Sequence, residues 1–128
     1  MRLVISIVGL LLVSCASHSP DRGALVAQIH NDHIRWDGNI FGLHVSGIGE
    51  PEQRVLRSGS ACRPFLIAAL ADESRFVAAH VLLTQMQRGE WPVSGAEWNH
   101  LKVTLYADGR VEIPVGQKAE IQRLWTRD

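Results

Sequence analysis

Asp72-Glu73-Ser74-Arg75-Phe76-Val77-Ala78-Ala79-His80-Val81-Leu82-Leu83-Thr84-Gln85-Met86-Gln87-Arg88 is the stretch on which the fold turns. Phe76 to Ala79 and Val81 to Leu83 leave almost no polar face in its first turns. A helix that is apolar all round is buried on most sides. Asp72 is a suitable N-cap and Gly89 a suitable stop, so the pattern predicts a helix reaching about Arg88, at the centre of a domain. Upstream, Ser60 is a candidate N-cap for a preceding helix that runs to about Ala71. Pro64 falls in its first turn, where the missing N–H costs nothing. Glu50 to Arg57 reads as a shorter helix, with Pro51 near its start and Ser58-Gly59 at its end.

Downstream the hydrophobic period changes to two. Leu101, Val103 and Leu105 alternate with His100, Lys102 and Thr104, and Val111 and Ile113 follow Asp108-Gly109. This predicts a β-hairpin with a type I′ turn at Asp108-Gly109. Pro114 and Gly116 end it, and Gln117 to Thr126 closes the chain as a short helix with Ile121, Leu124 and Trp125 on one side. Towards the N-terminus, Ala24 to Ile29 suits a helix or a strand. Ile34 and Trp36, the turn residues Asp37-Gly38-Asn39 and the apolar run Ile40 to Val45 suggest another hairpin. The expected fold is a small single α+β domain over residues 24–128. It has a central helix hairpin, a C-terminal β-hairpin and a short closing helix.

Residues 61–83 resemble one helix pair of the HEAT-like α-solenoid repeats, on Ala61, Pro64, Leu66, Leu70, Asp72, Arg75, Val77 and Leu83. In that family the proline lies early in the first helix and the aspartate caps the second. The resemblance implies a packed helix hairpin and points to a protein-binding surface. A solenoid needs about three repeats to bury a continuous core, and this chain has one such unit.

The chain opens with Met1-Arg2 and an apolar run from Leu3 to Val13. That is the charged and apolar pattern of a secretion signal, shorter than the ~20 apolar residues of a membrane-spanning helix. The run ends Leu12-Val13-Ser14-Cys15, which resembles the lipobox of bacterial lipoproteins. The resemblance implies residues 1–14 as signal peptide, cleavage after Ser14, and lipid on Cys15. Residues 15–23 would be the lipidated cysteine and a small, polar tether. Ala16, where aspartate would favour inner-membrane retention, implies the outer membrane if the host has one.

Loss of residues 1–14 would remove Arg2 and no acid, so 13 Lys+Arg become 12 against 13 Asp+Glu. Nucleic-acid binders carry a basic footprint, and this near-neutral composition argues against that class. With Cys15 lipidated, Cys62 would have no partner among the two cysteines, so the fold cannot be a disulfide scaffold.

His30-Asn31-Asp32-His33 places two imidazoles and a carboxylate within four residues. Zinc requires three or four ligands, and the others would have to come from His44, His80 or His100. The alternative is a polar turn. Cys62, near a helix start beside Arg63, could be an activated thiol, or a small hydrophobe between helices. His80, inside the most apolar helix, could be a titrating switch, or a core histidine with satisfied ring nitrogens. Trp36, Trp91, Trp98 and Trp125 could form an exposed binding patch, or pack in the core, with Trp98 and Trp125 against each other. The structural alternative is preferred in each case.

No nucleophile elbow, phosphate-binding glycine loop or paired-carboxylate constellation is present. The expectation is therefore a non-catalytic cell-envelope lipoprotein with no cofactor, acting through protein contact or structural support. A small histidine-dependent metal-binding enzyme of the envelope is the alternative.

Overall fold

The computed structural model describes residues 21–40, 42–88 and 97–127. Residues 1–14 and Cys15, read above as signal peptide and lipidation site, Trp91, and Gly89, read as a helix stop, lie outside the described residues. The architecture is mixed α and β, with helices gathered round α4 (Phe76–Arg88) and three small antiparallel strand pairs at their flank. Val77 to Thr84 are each at most 1% exposed, so the all-round apolar stretch does occupy the centre. α3 (Arg63–Ala69) and α2 (Glu50–Ser58) pack on α4, and α1 (Arg22–Val26) lies on α2 and α3. α5 (Lys118–Thr126) returns to cover α3 and α4 through Ile121 and Trp125. Among the described residues, no helix is long and apolar enough to cross a membrane.

α2 ends as its composition predicts, with Gly59 at φ 74° in the left-handed region that favours glycine. Ser60 does not cap the next helix. It lies within a 3-10 turn, Gly59–Cys62, and α3 follows from Arg63 with no side-chain cap. The chain saves the cap by entering α3 from a turn that is already helical.

β1 (Arg35–Asn39) and β2 (Gly42–Gly47) form the N-terminal hairpin. Asp37-Gly38-Asn39 is strand rather than turn. The register sets Trp36 opposite Val45 and Gly38 opposite Leu43. That register buries Leu43 and Val45 on one face, and it carries the first strand through Asn39.

The C-terminal hairpin expected over 101–113 divides in two. β3 (Glu97–Trp98) pairs with β4 (Leu101–Lys102), and β5 (Thr104–Leu105) pairs with β6 (Val111–Glu112). The type I′ signature of two positive φ angles falls on Asn99 (44°) and His100 (72°), not on Asp108-Gly109. Only Gly109 is left-handed at the second turn, where its N–H donates to Tyr106 O at 2.9 Å. Gln117 explains the division. Its Oε1 accepts from Lys102 N–H at 2.7 Å, and its Nε2 donates to Lys102 O and Pro114 O at 3.0 and 2.9 Å. Lys102 already pairs with Glu97 of β3, and the side-chain amide takes the place of a second strand on its other edge, where the satisfied backbone groups need no further ladder.

Candidate functional site

The polar turn flagged in the sequence is the 3-10 segment Asn31–His33. It docks on the first turn of α2 and on the start of α4. Glu52, fully buried, accepts through Oε1 from His30 N–H at 3.0 Å and faces His33 Nδ1 at 2.7 Å. With a carboxylate as its neighbour, neutral His33 carries its proton on Nδ1 and its lone pair on Nε2. His30 has the opposite tautomer, because its Nδ1 accepts from Asp32 N–H at 3.0 Å. The two rings lie 5.8 Å apart. Their neutral forms therefore do not offer two Nε2 lone pairs to one ion.

His44, His80 and His100 do not join them. Among the described residues no group of three His, Cys, Asp or Glu side chains is placed to hold a metal. What the turn does form is an imidazole oriented by a buried carboxylate, the arrangement by which a histidine ring is fixed in one orientation.

Gly49 is the floor of this pair. A Cβ there would sit 2.5 Å from Glu52 Oε2 and 2.9 Å from His33 Cβ. Its φ of −72° and ψ of 171° suit any residue, so Gly49→Ala tests packing alone. The substitution is expected to cost about 1–3 kcal/mol in urea unfolding by overpacking. Gly47→Ala is the control, since its nearest neighbour is the flexible Arg35 side chain at 3.8 Å. Equal, near-zero effects at both positions would contradict the close packing of His33 on Glu52.

Asn31 joins the turn to α4. Asp72 does cap a first turn, its Oδ1 accepting from Ser74 N–H at 2.8 Å. Bonds from Ser74 and Arg75 hold its carboxyl well below the usual carboxylate range. The ladder then opens, and regular helix starts at Phe76 rather than Asp72. Asn31 fills the opening. Its Oδ1 accepts from Val77 and Ala78 N–H at 3.0 and 3.2 Å. Its Nδ2 donates to Glu73 O at 2.7 Å and its backbone N–H to Ser74 O at 2.9 Å. One residue, distant in sequence, satisfies all four groups of two missing helical bonds.

His80 occupies the core as a linker between tryptophans. Trp125 Nε1 donates to His80 Nδ1 at 2.8 Å, which leaves the ring proton on Nε2, facing Trp98 O at 3.5 Å. The expected direct packing of Trp98 on Trp125 is replaced by two edge-on contacts to this ring, at 5.6 and 5.9 Å. Trp36 extends the row, edge-on to Trp98 at 5.8 Å. Burial lowers the His80 pKa to about 4, so the ring is neutral at pH 7. Cys62 is likewise buried, and burial pushes its thiol up, away from the reactive thiolate. Trp98 and Trp125 are buried and Trp36 half-buried, so these three do not form an exposed aromatic patch.

A second region carries no sequence motif. The tight Asn99-His100 turn and α5 enclose two adjoining clefts of about 220 Å³ each, which share His100, Leu124 and Arg127. Arg63 lines one and Arg123 the other. The Arg63 guanidinium stands over the Trp125 ring at 5.5 Å. These side chains come from three separate segments, and no local spacing announces their meeting.

No family model matches the chain, and neither a curated protein nor a solved structure matches it.

Proposed function

We propose that the protein is a non-catalytic, lipid-anchored domain of the cell envelope, working by contact with another envelope component. The observation that carries this reading is Leu12-Val13-Ser14-Cys15 after an apolar run headed by Arg2. Several acyl chains on Cys15 would anchor firmly, since each buried methylene contributes ~0.8 kcal/mol. Ala16 favours the periplasmic face of an outer membrane. A neutral, buried His80 and a buried Cys62 support a structural use for two of the groups that chemistry could have employed.

Cys15→Ser is expected to abolish incorporation of a fatty-acid probe in cells and to release the protein from the membrane fraction. A variant that still takes up the probe would overturn the lipid anchor. The alternative, a histidine-dependent metal enzyme, draws on the His33–Glu52 pair. It requires a third ligand beside His30 and His33, and metal analysis of the purified chain decides it: one equivalent of bound zinc would favour the enzyme.

A further inference from the structure

The clefts beside α5 concentrate charge on a chain with no net charge. Arg63, Arg123 and Arg127 face them, with Glu120 as the acid in their lining. Among the described residues that line them, three guanidinium charges against one carboxylate leave a surplus of two. Arg54 and Arg75, by contrast, are paired with Glu50 and Asp72. Among the described residues none of the three cleft arginines is in an ion pair.

Asn99 and His100 hold the left-handed backbone of the type I′ turn on the rim, and both are residue types that tolerate it. Asn99 is secured there by its Nδ2 bond to Thr84 Oγ1 at 2.7 Å, and Thr84 in turn donates to His80 O. The result holds His100 on the shared wall of both clefts. The Arg63 guanidinium lies over the Trp125 ring, whose indole N–H is bonded to His80.

We propose that these adjoining clefts bind a phosphomonoester at their shared wall, through Arg127 and His100, with Arg63 on one side and Arg123 on the other. A dianion matches the surplus of two charges. Phosphate oxygens accept paired N–H bonds from planar guanidinium groups, which a single-point cation matches less well. The site is independent of whether Cys15 is lipidated, and its ligand is either a soluble phosphate ester or a lipid headgroup of the same chemistry.

The test titrates the full chain, in a nonionic detergent, with inorganic phosphate and separately with dihexanoyl phosphatidic acid. Binding is followed by calorimetry and by the NMR signals of His100 and the arginine side chains. Saturable binding of either probe supports the site. Phosphate alone identifies a soluble ester, and the lipid alone a headgroup. The double variant Arg123→Gln with Arg127→Gln, at two exposed positions, is expected to weaken binding roughly a hundredfold, about tenfold per guanidinium. Arg54→Gln should leave it unchanged. Failure of both probes to bind, equal affinity for succinate, or indifference to the double variant would each overturn the proposal.

Discussion

His80→Ala is expected to destabilise the domain by about 3–5 kcal/mol in urea unfolding, the cost of a cavity plus an unpaired indole N–H. His80 is fully buried, its ring touches Trp98 and Trp125, and its Nδ1 is the acceptor for Trp125 Nε1. His80→Leu keeps most of the volume and isolates the hydrogen bond, so its cost should fall to about 1–3 kcal/mol.

The same residue sets an acid limit on stability. In the unfolded chain an ordinary histidine protonates near 6.5, whereas buried His80 protonates only at about 4. Above pH 6.5 both states leave it neutral, and it adds no pH dependence. As pH falls from 6.5 to 4 the unfolded state binds a proton that the native state refuses, so stability drops, by about 3 kcal/mol in all. Asp72 acts in a lower window, because its depressed pKa matters only below the ordinary carboxylate value of 3.8. Unfolding free energies at several pH values should therefore give a slope between pH 6.5 and 4 that His80→Leu reduces. Identical slopes in the two proteins would show that the ring is not held neutral.

Asn31→Ala is the second large effect, at about 2–3 kcal/mol. It removes three side-chain bonds, one to Glu73 O ahead of α4 and two to Val77 and Ala78 N–H within it. The helix can recover part of that by closing its own ladder, which is why the sum of the separate bonds is not reached. Asn31→Asp keeps the acceptor and places a negative charge at a helix start, but it cannot donate to Glu73 O. Its cost should be smaller than that of alanine. Hydrogen exchange at Val77 and Ala78 offers a second readout, since these amides should lose protection relative to the rest of α4. An alanine variant as stable as the parent, with those amides still protected, would contradict the role assigned to Asn31.

Where the chain carries its information locally, the fold is legible. The burial of α4 follows from Phe76 to Leu83 having almost no polar face, His80 being the one polar residue in it. α2 follows from Pro51 near its start and Gly59 at its end, and α5 from the apolar side formed by Ile121, Leu124 and Trp125. The candidate site is only half legible. The proximity of His30 to His33 is a matter of sequence, but the carboxylate that orients His33 comes from α2. Glu52 carries the ordinary signal of an acid in a first helical turn, and nothing local tells that it is buried. The arginine cleft is not legible at all, because Arg63, His100 and Arg127 meet only after α5 folds back.

The sequence by itself determined the mixed α and β class, the central helix, and the short-range turns that depend on backbone freedom. It also holds Leu12-Val13-Ser14-Cys15, on which the proposed lipid anchor rests and whose reading is chemical rather than conformational. Tertiary structure alone decided the rest. Gln117 split an alternating stretch into two strand pairs by replacing a strand partner, and Asn31 opened the first turns of α4. His80 came between Trp98 and Trp125. The physical reason is common to all three. A buried polar group must find a partner, and the partner that reaches it first in space has no fixed distance along the chain.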